Sequence, residues 1–147
     1  MRAPMAASNP GSLKSLLNKI LEETHRMITT IVYAWRDGIP QDFLAAEQAQ
    51  AEFLAVASAA ALGSLDALGD IFGSKVRRVD VEFENGEHVV ISAVDGAFIA
   101  LSTVPRPNLG LIHLVLRKYE DDVVKTAGVG YAGPQRLPKD TSERALR

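Results

Sequence analysis

The stretch Ala45–Phe72, AAEQAQAEFLAVASAAALGSLDALGDIF, decides how the rest of the chain must be arranged. Its alanine-rich composition and helical spacing predict a single long helix. Turning by about 100° per residue, Ala46, Ala49, Phe53, Ala57, Ala60, Leu68 and Ile71 share one stripe, the expected core face. The opposite arc carries Gln48, Glu52, Asp66 and Asp70, with Ala51, Ala55, Ala59 and Leu62 between them. A back so poor in charge suggests a second contact face, because small side chains let another backbone come close. The competing explanation is that alanine is present for helix propensity alone. Gly63 and Gly69 each cost about 1 kcal/mol relative to alanine inside a helix, so either they allow close packing or the helix ends early.

Charge sharpens the picture. Between Arg36 and Lys75 there is no basic residue, whereas Asp37, Asp42, Glu47, Glu52, Asp66 and Asp70 are all acidic. The net charge of −2 hides an asymmetry: residues 1–122 carry 11 basic and 16 acidic side chains, and residues 123–147 carry 5 and 2. A domain at −5 is a poor electrostatic match for nucleic acid, and none is expected as a partner. The chain of 147 residues is expected to form one domain over 12–125, between a disordered start (1–11) and a flexible basic tail (126–147). With no cysteine there is no disulfide framework or thiolate metal site, which favours a reducing compartment and a cytoplasmic location. No uninterrupted apolar run reaches the roughly 18 residues of a membrane span.

On the N-terminal side, Ser12 caps a short helix with Leu13, Leu16, Leu17, Ile20 and Leu21 on one face. Met27–Trp35 is β-branched and aromatic at both parities, the mark of a strand covered on both faces. Asp37-Gly38 signals a hairpin into Ile39–Leu44, an edge strand by virtue of Pro40. On the C-terminal side, Gly73 stops the helix. Val79, Val81 and Phe83 then alternate with charged residues, and Asn85-Gly86 and Asp95-Gly96 turn two further strands, Glu87–Val94 and Ala97–Val104. Asn108 caps a last helix carrying Leu109, Ile112, Leu116 and Tyr119, expected to end near Lys125. The expected architecture is an α+β sandwich with a five-stranded antiparallel sheet.

Chemistry is harder to find. His25, His88 and His113 fall on three separate elements without ligand spacing. His88 is expected to be exposed beside its turn, and His113 to be a satisfied boundary histidine. There is no phosphate-binding loop and no nucleophile elbow. Trp35 could stack on a ligand but is better placed as core. No catalytic residue, metal or cofactor is expected.

The segment Ala34-Trp35-Arg36-Asp37-Gly38-Ile39-Pro40 resembles the apolar-x-x-Asp-Gly-φ-Pro hairpin of Roadblock domains, the family of dynein light chains and prokaryotic GTPase regulators. Glu52-Phe53-Leu54-Ala55 is similar to the family's Glu-x-Leu-Ala, and Asn108-Leu109-Gly110 to the opening of its last helix. The likeness covers residues 12–122. It implies strand order 2-1-5-4-3, with the long helix on one face and the terminal helices on the other. It also implies a homodimer that binds and regulates a Ras-like small GTPase, itself without catalysis. The basic tail departs from the minimal domain.

Two functions from different classes follow: a GTPase-binding module, or a small-molecule sensor of PAS- or GAF-like architecture. The sensor needs polar groups converging on a cavity, while Ile31, Val81, Phe83 and Ile91 are apolar. The expected partner surface comprises Glu52, Ala55, Ala59, Leu62, Asp66 and Asp70, with Arg36 in a nearby exposed turn. The expected dimer joins the strand bearing Arg78, Asp80, Glu82 and Glu84 to its copy, with the long helices side by side; about Asp80, Arg78 faces Glu82 of the second chain, and about Val81 it faces Glu84 while Asp80 opposes Glu82, so charge alone does not settle the register.

Overall fold

The computed structural model describes residues 12–128. The expected disordered start and almost all of the basic tail lie outside them. In chain order the elements are α1 (Leu13–Glu23), β1 (Ile28–Trp35), β2 (Pro40–Leu44), α2 (Gln48–Phe72), β3 (Arg78–Glu82), β4 (His88–Val94), β5 (Ala97–Thr103) and α3 (Leu109–Gly128). The strands form one antiparallel sheet in the order β2-β1-β5-β4-β3. Local chemistry explains the joints. The Ser12 hydroxyl accepts from Ser15 N–H, and Asn108 Oδ1 accepts from Leu111 N–H, so both caps are made. Asp37 Oδ1 and Asn85 Oδ1 close their turns onto the amides of Ile39 and Glu87.

The sheet separates two cores. On one side Leu17, Ile20, Ile31, Tyr33, Ile99, Leu101, Ile112 and Leu116 pack beneath α1 and α3. On the other, Val32, Ala34, Phe98 and Ala100 meet Ala51, Ala55 and Leu62 of α2. The parity of β1 therefore divides between the two cores, as its mixed composition requires. An ionic staple joins the two terminal helices: Glu23 accepts from Lys118 Nζ at 2.9 Å and from the Tyr119 hydroxyl. Those bonds, Tyr119 first, hold the Glu23 carboxyl below its ordinary value, and the same bond raises Tyr119.

The long helix runs to Phe72 and is not cut short at either glycine. Gly73, at φ +67°, ends it, and Ser74 N–H returns to the Gly69 carbonyl. A Cβ at Gly69 would run into the Ser74 carbonyl oxygen, so this glycine is needed for the chain reversal; Gly63 faces open space.

The two sheet edges differ. Along β2, Phe43 has its carbonyl bonded by Lys14 Nζ at 2.8 Å and its amide by Asp42 Oδ1 at 2.8 Å, with Lys14 also pairing with Asp42. β3 forms the other edge and carries no such cap among the described residues.

Candidate interaction surface

The helix α2 lies over β1, β2 and β5, but with the face opposite to the one expected. Ala51, Ala55, Ser58 and Leu62 are the residues buried against the sheet. The stripe expected to be core points away: Phe53 is 74% exposed, Ile71 78% and Leu68 48%, with Val56 and Phe72 exposed beside them. The inversion has a steric cause. The sheet presents Val32, Ala34, Phe98 and Ala100 at the contact, and only a face of small residues allows a helix to settle that closely. The larger apolar residues are left outside. By length and composition α2 would also pass for a membrane-crossing helix, which a search for unbroken apolar runs does not register. One such helix is weak evidence for a span, and this one is packed across a sheet.

This inversion corrects part of the expected partner surface. Ala55 and Leu62 are fully buried and unreachable, and Ala59 is half-buried. Glu52 and Asp70 are exposed, with Glu52 accepting from Gln48 Nε2 at 2.8 Å. Asp66 and Arg36 are both half-buried and paired with each other, so Arg36 is not a free group in an exposed turn.

Beside α2 the sheet is only partly roofed. Phe53, Leu54 and Ala57 on the helix and Val81, Phe83 and Val89 on β3–β4 and its turn line an open apolar groove of about 650 Å³. The exposed stripe, this groove and the β3 edge together form one continuous apolar region. A monomeric protein rarely leaves such a region open.

The other face of β3 is polar. Arg78 does not project from the edge toward a second chain. Its guanidinium turns under α3 to Glu120 at 3.3 Å, and Glu120 also accepts from the Ser92 hydroxyl. Asp80 is bonded to His88 Nδ1 at 2.8 Å. His88 is thereby buried rather than exposed, because its ring folds back across the strand pair and its amide donates to Thr103 Oγ1. Glu82 and Glu84 are exposed. The Nε2 of His113 is buried with no hydrogen-bond partner among the described residues, so it is not the satisfied histidine expected. Burial, then Arg78, lowers its pKa, against a smaller opposing effect of Asp80. Among the described residues no three His, Cys, Asp or Glu side chains converge as a metal site.

The strand order, the single long helix on one face and the two terminal helices on the other define the Roadblock/LC7 fold. Solved structures of that fold match most of the chain. The gliding protein MglB of Thermus thermophilus is 18% identical with a TM-score of 0.70, covering 80% of this chain and 90% of its own. An MglB with a tetrameric arrangement is 16% identical, with a TM-score of 0.72 and coverages of 81% and 90%. A Roadblock/LC7 domain from Streptomyces avermitilis is 16% identical, with a TM-score of 0.65 and coverages of 75% and 96%. No family model and no curated protein matches the chain.

Proposed function

We propose that the protein is a non-catalytic, cytoplasmic interaction module that forms a homodimer and binds and regulates a Ras-like small GTPase. The observation that carries this reading is the apolar outer stripe of α2, continuous with the groove and the uncapped β3 edge, on a Roadblock fold. An apolar face that a globular chain leaves uncovered is the mark of a protein interface. Read antiparallel across a twofold axis, the stripe matches itself: Phe53 meets Ile71 of the second copy, Ala57 meets Ala67, and Ala60 meets Ser64. Bulk at the ends and small residues between them permit a close helix pair. The likeness to MglB and the hairpin motif around Asp37-Gly38 support a GTPase as the further partner. The groove's mainly apolar lining favours a protein segment over the polar metabolite of a sensor domain.

The acids of α2 that remain free are suited to steering a basic patch rather than to anchoring it. Glu52 and Asp70 are the useful pair to reverse, since Asp66 is held by Arg36. The test is association of the purified full chain with candidate small GTPases loaded with GDP or a non-hydrolysable GTP analogue. E52K/D70K is expected to slow association at low salt and flatten its salt dependence while the protein stays folded. If the double reversal binds as fast as wild type at low salt, this face is the wrong one.

A further inference from the structure

We propose that the groove between α2 and the β3 edge is a binding site for an uncharged amphiphile, a small apolar molecule ending in one hydrogen-bonding group, as a fatty alcohol does. This inference goes beyond the interaction-module reading and does not depend on it.

The floor of the groove is a row of residues paired across four strands. Thr30 of β1 faces Ser102 of β5, Ser102 faces Val89 of β4, and Val89 faces Val81 of β3. Directly opposed residues point to the same face of a sheet, and all four line the groove. Its polarity therefore runs one way, from hydroxyls on β1 and β5 beneath α2 to an apolar end at the β3 edge, where Phe83 joins Val81. From above, the buried face of α2 contributes Ser58.

Two of these hydroxyls are shut in and unused. Thr30 is 6% exposed and Ser58 2%, yet neither hydroxyl has a hydrogen-bond partner among the described residues. A helical hydroxyl has a local option, the carbonyl one turn back. Thr24 takes it, donating to the Ile20 carbonyl at 2.8 Å; Ser58 does not. Ser102 is bonded to the Thr29 hydroxyl at 2.8 Å and keeps capacity for another bond, since a hydroxyl offers one donor and two acceptor sites. Burying a hydroxyl without a partner is unfavourable. Two such groups lining one groove point to an occupant that bonds them.

The lining also sets the charge of that occupant. Among the described residues lining the groove, none is charged. An ionised head group there would lose its water without gaining a counter-charge. The exposed carboxylates that flank the groove in sequence, Glu52 beside Phe53 and Glu82 and Glu84 beside Phe83, further oppose an anion. At about 650 Å³ the space falls within the roughly 300–1,000 Å³ of small-ligand sites, which are mostly apolar with a few placed polar groups. An uncharged amphiphile meets the same apolar walls that exclude a polar metabolite. Its hydrogen-bonding end sits under α2 and its chain runs toward β3.

The experiment titrates the full chain with 1-octanol, octanoate at pH 8 and butylbenzene by calorimetry, with sedimentation in parallel. 1-Octanol is expected to saturate at one per chain. Octanoate, with the same chain length and a charged end, is expected to bind at least about tenfold more weakly. T30V and S58A each remove a hydroxyl with little change of shape, and circular dichroism melts check that they fold. Each is expected to weaken 1-octanol about threefold and the pair together about tenfold. Butylbenzene, which has no hydrogen-bonding group, should bind the variants at least as well as wild type. Octanoate binding as tightly as 1-octanol, or both neutral probes weakened alike by the variants, overturns the site as described. Failure of 1-octanol to saturate overturns it too and leaves the interaction-module reading standing. Loss of 1-octanol as the chain dimerises identifies the second copy as the occupant and overturns the ligand. 1-Octanol bound, with the expected variant pattern, by a chain monomeric at every concentration upholds the site and overturns the dimer instead.

Discussion

The orientation of α2 yields the most direct test, because Leu62 and Phe53 lie on one helix and face opposite ways. Leu62 is fully buried among Val32, Phe98 and Ala100. Truncating a fully buried leucine to alanine loses its transfer energy and leaves a cavity, about 2–5 kcal/mol in all. Phe53 is 74% exposed, so its truncation should change the stability of the isolated chain by less than about 0.5 kcal/mol. Self-association reverses the order. A phenylalanine newly covered in a dimer contributes about 1.5–3 kcal/mol, and one substitution removes two of them, so F53A should raise the dissociation constant at least about a hundredfold. L62A and F53A are compared by urea unfolding over a range of protein concentrations, which separates chain stability from assembly, and by sedimentation. If F53A lowers chain stability as much as L62A, or leaves the dissociation constant unmoved, the assignment of faces is wrong.

The two helix glycines should part company. G69A forces the Ser74 carbonyl aside and is expected to lower the thermal midpoint, whereas G63A meets open space and is expected to raise stability by up to about 1 kcal/mol. The Glu23 staple makes a pH prediction. Because the native carboxyl titrates below its ordinary 4.5, the stability it supplies is complete above that value and fades as pH falls through the lowered native one. Y119F and E23Q should each be less stable than wild type at pH 7, with the deficit shrinking below pH 4.5, read from unfolding curves at both pH values; a deficit that does not change with pH would count against the staple.

Most of the fold is legible in the sequence because its punctuation is chemical. Asp-Gly and Asn-Gly turns, the Ser12 and Asn108 caps and the stop at Gly73 fix element order and boundaries to within a few residues, and the strand order follows from the hairpin motif of the resembled family. The interaction surface is legible only in part. Periodicity finds the Phe53–Ile71 stripe but is silent on which side of an alanine-rich helix turns inward. That depends on how small the facing sheet residues are, and Ala34 and Ala100 are met only once the strands are assembled. The same holds for Arg78 and His88. His88 reads as an exposed group beside a turn and Arg78 as an edge-strand group facing a second chain, and each is drawn in by a partner within its own chain: His88 by Asp80 eight residues away, Arg78 by Glu120 forty-two residues away.

The capped β2 edge has a consequence for how large an assembly can grow. A sheet open at both sides can recruit copies without end, the geometry of fibre formation. Here Lys14 and Asp42 already occupy the outward backbone groups of Phe43. Two chains joined along β3 would therefore present, at each outer edge, a strand whose Phe43 backbone groups are already taken and whose Pro40 has no N–H to give, which disfavours further edge-to-edge addition. Lys14, an ordinary surface lysine by sequence, thus doubles as a guard on that edge, and its loss would free the Phe43 carbonyl for pairing with another strand.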